Sequence, residues 1–209
     1  MSDLGYYLVA IVTVFAVVDP IGTLPFFTAF TLGFDAQDRR VVLERTVLIF
    51  SSILLVFALV GRFVFAAFGF TLAAFEIAGG ILLFIVAYDM LRGEVGPTKL
   101  TAADREEAIQ RRDEVSVFPL SIPLLAGPGA ISTVMIYAGG TGSGTTGVVA
   151  AILAVIVTGS ATFIIFRLGQ RILDSLGRVG VMALTRVLGL LLAAVAVQFV
   201  ITGIYGVIG

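Results

Sequence analysis

The sequence predicts an all-α polytopic membrane protein: six transmembrane spans arranged as a 3+3 inverted repeat, with broken helices in spans 1 and 4. Three observations predict it. Charged residues make up only 13 % of the 209 residues, while 59 % are hydrophobic; soluble domains carry about 25 % charge. The charges also avoid long stretches. Residues 115–166 and 187–209 have none, and residues 4–34 have only Asp19. Finally, eleven of the 13 basic residues fall in alternate loops. A bilayer span takes about 20 apolar residues, whereas a soluble chain of this size builds amphipathic elements around one core.

Span 1 is expected over Leu4–Thr31, span 2 over Thr46–Ala66 and span 3 over Leu72–Leu91. The charged loop Arg92–Glu114 follows, with room for a short surface helix over Arg105–Glu114. Span 4 covers Phe118–Ala138, and a Gly/Thr/Ser turn, Gly139–Gly147, leads to span 5, Val148–Phe166. Span 6 covers Met182–Tyr205. Many of these residues are β-branched, but the runs are too long and too uniformly apolar for barrel strands, which alternate over 9–11 residues. Nothing basic precedes the first apolar stretch, so it reads as a retained span rather than a secretory signal.

Basic residues crowd the loops after spans 1, 3 and 5; Arg62 lies on the other side and Arg186 within span 6. The positive-inside rule puts those loops in the cytoplasm and both termini outside a plasma (inner) membrane. The domains are then 1–91, a first three-span repeat; 92–115, a cytoplasmic connector; and 116–209, a second repeat. Each half has an odd number of spans, so the halves enter the membrane from opposite sides. Pro20 and Pro128 stand 108 positions apart. Glu76-Ile77-Ala78-Gly79-Gly80 aligns with the segment starting at Arg186 at an offset of 110.

Composition excludes several functions. Without cysteine or histidine there are no disulfides, thiol chemistry, Ser-His triads or ordinary zinc sites. The 13 basic and 14 acidic residues leave no positive excess for nucleic acid. No enzyme, cofactor or structural metal is expected. An intramembrane aspartyl protease would need a second carboxylate beside Asp19, and Asp89 is expected at the cytoplasmic edge.

Asp19-Pro20 is the sharpest feature. Proline lacks the N–H that closes a helical bond, and an aspartate at membrane depth is expensive unless paired or facing water. Gly22 loosens the same turn, and Thr23 can bond a freed carbonyl. Broken helices at the midplane form ion and solute sites in transporters built from repeats; a kink capped by Asp19 is the compatible structural alternative. Gly127-Pro128-Gly129 is the counterpart in span 4, with the Ser132 and Thr133 hydroxyls one turn on. A half-helix N-terminus there favours an anion; a hinge is the alternative. Glu76 and Arg186 are a candidate cross-half gate or ion pair, unless each snorkels to its own interface. Gly79-Gly80 suits close helix packing, and Gln198 and Thr202 share a face.

Three segments carry a resemblance. Val18-Asp19-Pro20-Ile21-Gly22-Thr23-Leu24-Pro25, Ile77-Ala78-Gly79-Gly80-Ile81-Leu82-Leu83 and Pro119–Ile131, which contains Ala126-Gly127-Pro128-Gly129-Ala130, resemble the hallmarks of the MarC family, also called SnatA. The similarity covers essentially the whole chain. It implies a six-span inner-membrane protein of bacteria or archaea. An archaeal relative regarded as a transporter of small neutral amino acids, including glycine, implies that activity here. Glu76 departs from the family pattern, in which a basic residue often precedes Ile-Ala-Gly-Gly.

The expected function is cation-coupled transport of a small neutral amino acid by alternating access. The expected partners are a small zwitterionic solute, a proton or sodium ion (a sodium near Asp19), membrane lipid and a second copy of the chain. A channel or exporter for another solute, or a non-transport structural membrane protein, is the alternative.

Overall fold

The computed structural model describes residues 3–31, 34–92, 112–139, 145–173 and 177–208. Eight helical segments follow in order: α1 (Asp3–Val18), α2 (Pro20–Phe30), α3 (Ala36–Phe68), α4 (Leu72–Arg92), α5 (Ser116–Leu125), α6 (Pro128–Gly139), α7 (Thr145–Leu173) and α8 (Gly177–Ile208). Five stretches are long and apolar enough to span a bilayer, the first made of α1 and α2 with the interruption at Asp19 between them. The α5–α6 pair, bent by 62°, makes the sixth. The predicted all-helical, six-span architecture is therefore present, and so are its breaks in spans 1 and 4. Most of the connector falls outside the described residues, as does the centre of the Gly139–Gly147 turn.

The helices run beyond the apolar stretches that announced them. α3 begins ten residues before Thr46, and α8 five before Met182. Hydropathy marks only the part matched to hydrocarbon, whereas hydrogen bonding carries a helix on into its charged ends. Asp35 starts α3 by accepting from the Asp38 N–H at 2.7 Å. Gly69, at φ 67°, ends it in a left-handed turn that a side chain would strain. Thr71 then accepts from the Ala74 N–H and starts α4.

Contacts order the bundle by depth. At one end, Asp38 of α3 meets Arg112 just before α5. Deeper, Thr46 of α3 meets Ser116 and Ser121 of α5. At the far end, Gly61 lies against Met135, and the Arg62 guanidinium donates to Gly139 O at 3.0 Å. Tyr6 there stands edge-on to Tyr137 and donates to its carbonyl at 3.1 Å. α3 and α5–α6 are thus parallel, with α1 antiparallel to both.

α4 and α8 make the most extensive helix contact, and glycines permit it. A β-carbon on Gly80 would lie 2.6 Å from Ala196 O, and one on Gly203 the same distance from Ala73 O. Gly189 likewise sits against Ala87 and Met90. Membrane helices gain little from burying apolar surface against one another rather than lipid, so close backbone approach carries the association. The core of the other helices is filled by buried Phe27, Phe50, Leu54, Phe166 and their neighbours.

Candidate functional site at two helix breaks

The two breaks are built on one plan and finished differently. In the first, Asp19 occupies the left-handed region (φ 46°, ψ 65°) and Pro20 opens α2. Aspartate tolerates this conformation better than most residues, and a first-turn proline forgoes an N–H that had no partner anyway. Asp19 Oδ1 accepts from the Gly22 N–H at 3.0 Å. Its backbone carbonyl accepts from the Thr23 N–H at 3.0 Å and from the Thr23 hydroxyl at 2.8 Å. The Thr23 hydroxyl therefore doubles an ordinary helical bond to Asp19 O and does not reach the Ala16 carbonyl that Pro20 leaves without a donor. A β-carbon on Gly22 would fall 2.2 Å from Asp19 Oδ2, so the cap needs glycine there.

In the second, Pro128 opens α6 and Gly127 stands where Asp19 stands in the first. The first intrahelical bond runs from the Ile131 N–H to Gly127 O at 3.0 Å. The N–H groups of Gly129 and Ala130 lie ahead of it, and glycine brings no carboxylate to cap them. Such a helix start attracts an anion. Ser132 and Thr133 both donate to Gly129 O, at 2.9 and 2.7 Å. Their protons are turned into their own helix, which leaves the first-turn backbone N–H groups as the remaining donors of this helix start.

The breaks meet. A β-carbon on Gly129 would stand 3.3 Å from Val17 Cγ1, two residues before Asp19. Pro128 packs on Gly79 of α4, and Phe199 of α8 closes on Gly127. Val17 and Gly129 thus bring the two breaks side by side; because α1 and α6 are antiparallel, Gly22 and Thr23 past the first break and Ser132 and Thr133 past the second lead away from that contact in opposite directions. Asp19 and Gly22 are exposed, while Pro20, Thr23 and Gly127 are buried. Asp19 opens to the outside of the single chain instead of into an enclosed cavity. A groove of about 270 Å³ with apolar walls, including Gly80, Phe84, Ala196 and Val200, lies between α4 and α8, away from Asp19.

Glu76 and Arg186 form no ion pair, which corrects the expected gate. α4 and α8 are antiparallel, so their equivalent positions go to opposite ends. Glu76 lies near the level of Gly203, and Arg186 near that of Met90 and Leu91. At 1.5 Å per residue they are roughly 20 Å apart along the helix pair. Among the described residues, Asp38–Arg112 at 2.6 Å and Arg45–Asp113 are ion pairs that tie the first half to the end of the connector. The sequence showed these residues only as loop charges. Gln198 and Thr202 do share a face, with Gln198 Nε2 donating to Thr202 Oγ1 at 3.3 Å.

The family model for MarC family integral membrane proteins matches residues 4–208. The chain belongs to the MarC family. A UPF0056 membrane protein of Methanocaldococcus jannaschii is 38 % identical over 205 residues, covering 98 % of each chain. One from Pyrococcus abyssi is 40 % identical over 209 residues, covering 100 % of this chain and 99 % of the relative. The Bacillus subtilis membrane protein YvbG is 34 % identical over 196 residues, covering 93 % and 92 %. No solved structure matches. The three segments that resemble MarC hallmarks are those that form the two breaks and the Gly79 contact between them.

Proposed function

We propose that this MarC family protein is a secondary transporter of small neutral amino acids, working by alternating access in the plasma membrane with both termini outside. The observation that carries the reading is the unlike finish of the two breaks. One presents a carboxylate and the other an uncapped helix start. A zwitterion has complementary groups at a short separation. Its carboxylate sits at the Gly129 and Ala130 N–H groups, and its ammonium at Asp19, whose Oδ2 carries no hydrogen bond among the described residues. A small side chain is favoured because Val17, Pro128 and Phe199 crowd the second break. Rocking of one half against the other exposes the site to each side in turn, driven by a proton or sodium ion. The protein performs no covalent chemistry in this scheme.

The test is uptake of labelled glycine and alanine into proteoliposomes, with proton and sodium gradients imposed separately. Gradient-driven accumulation, lost in Asp19→Asn, is expected. Absence of uptake under both gradients, from folded protein, overturns the amino-acid assignment and leaves a channel or another solute.

A further inference from the structure

We propose that an anionic phospholipid binds along the outer face of the α4–α8 pair, with an acyl chain in the groove between the helices and its phosphate at Arg92 and Arg186. The groove holds about 270 Å³. Gly80 and Ala196, both buried, form its floor. Ile81, Phe84 and Ile85 of α4 and Val197, Val200 and Ile201 of α8 form its walls, and most of these side chains are exposed. The walls are apolar throughout, so they offer a polar solute nothing to hydrogen-bond. A hydrocarbon chain needs no such partner.

The two arginines stand at one end of the same face. On α4, Ile81, Phe84, Ile85, Tyr88 and Arg92 recur at three- and four-residue spacings and share one side of the helix. On α8, Ile201, Val197, Leu190 and Arg186 recur at spacings of four and seven and do the same. The helices are antiparallel, so both series run from the groove towards the connector. Gly189 sits against Ala87, Met90 and Leu91, and that register puts Arg186 level with Arg92. Both arginines are exposed. The Arg92 guanidinium carbon lies 5.6 Å from the centre of the Tyr88 ring, a contact that holds its charge over this face. Asp89, half-buried one turn before Arg92, offsets part of the charge. Among the described side chains at this end of α4 and α8, the balance stays positive.

The depth suits a lipid. Arg92 lies twelve residues beyond Gly80, about 18 Å along the helix. Half of a bilayer's hydrocarbon core is about 15 Å thick. With the arginines at headgroup level, the groove lies along the lower part of an acyl chain from the leaflet on the connector side. Arginine binds phosphate through paired N–H donors, and basic pockets between membrane helices hold anionic headgroups.

Charge also selects the occupant. A second copy docking through this face would present the same surface on both chains. Two copies upright in one membrane would then bring four arginines together at one level, where like charges repel. A lipid phosphate is attracted there instead. The site stands apart from the transport reading and does not rest on it.

The chain has no tryptophan, so a single introduced one reports only its own surroundings. Phe84→Trp, with Ile81→Trp as a second reporter, places the fluorophore in the groove wall. Val195→Trp places it at a similar depth on the other flank of α8, where Val195 is exposed. Each full-length variant is reconstituted in phosphatidylcholine vesicles. Quenching by phosphatidylglycerol brominated in mid-chain is compared with quenching by equally brominated phosphatidylcholine. At the groove reporters phosphatidylglycerol should bind more tightly, by about fivefold for each arginine engaged. At Val195→Trp the two lipids should quench alike. Adding Arg92→Gln and Arg186→Gln together should bring the groove reporters to parity. Equal quenching by the two lipids at the groove reporters overturns the proposal. So does the same preference at Val195→Trp, which marks attraction to the whole surface, or a preference that survives both glutamines. Exclusion of both lipids from the groove reporters overturns it in favour of a second copy of the chain.

Discussion

Pro128 rests on Gly79: a β-carbon built on Gly79 would stand 3.1 Å from the Pro128 ring. This contact joins the glycine pair of the first half to the helix break of the second. The neighbouring Gly80 faces the other way, onto Ala196 O of α8. Two adjacent glycines thus serve two different interfaces. Gly80→Ala drives a methyl into backbone that cannot yield, so it is expected to destabilise the protein by about 1–3 kcal/mol. Gly79→Ala meets only a ring that can shift by a few tenths of an ångström; it should cost less stability but displace Pro128 and lower uptake. Unfolding midpoints and uptake rates measured on both variants check the split.

Asp19→Asn and Asp19→Ala should separate structure from function. Asparagine caps a helix about as well as aspartate and also tolerates the left-handed region. Its unfolding midpoint should stay near that of the unmodified protein. Alanine loses the Gly22 bond and is strained at φ 46°, so a loss of about 1–2 kcal/mol is expected. Uptake should fall in both. An Asn variant as unstable as the Ala variant would show that the charge, not the cap, holds the break.

The ion pairs between α3 and the end of the connector should differ in worth. Arg112 and Asp38 are mostly covered, with side chains 16 % and 25 % exposed. A double-mutant cycle with Arg112→Gln and Asp38→Asn should give a coupling of about 1–2 kcal/mol. Arg45 and Asp113 are 45 % and 50 % exposed, and the same cycle there should give under about 1 kcal/mol. Similar couplings for the two pairs would contradict this ranking.

Thr158 is fully buried, and its hydroxyl has no hydrogen-bond partner among the described residues. Thr158→Val keeps the shape and removes an unsatisfied group. The expected result is an unfolding midpoint equal to or above that of the unmodified protein. A drop of more than about 1 kcal/mol would reveal a partner for the hydroxyl.

Much of the fold was legible because hydrocarbon imposes simple demands. Spans appear as charge-free runs, and the breaks appear as proline beside residues that cap or yield. Thr23 was legible as a hydroxyl that bonds a carbonyl of its own turn, but the acceptor is Asp19 O, which already holds the Thr23 N–H, and not a carbonyl freed by Pro20. Ser132 and Thr133 were legible as hydroxyls one turn beyond the second break, but not in their direction: each turns its proton inward, onto Gly129 O. The Thr46–Ser116–Ser121 cluster was invisible, since it joins residues 70 and 75 positions apart with no periodic signal.

The sequence by itself determined the number of spans, the location of both breaks and the family, because each depends on local composition or on short motifs. Tertiary structure decided which breaks touch, which charges pair and where Glu76 and Arg186 lie. Antiparallel packing of α4 and α8 sent those two to opposite ends, and parallel packing of α3 and α5 brought Asp38 to Arg112. Such outcomes depend on the direction and register of helices against one another. Glycines and prolines set that register through backbone approach, a three-dimensional property that hydropathy does not encode.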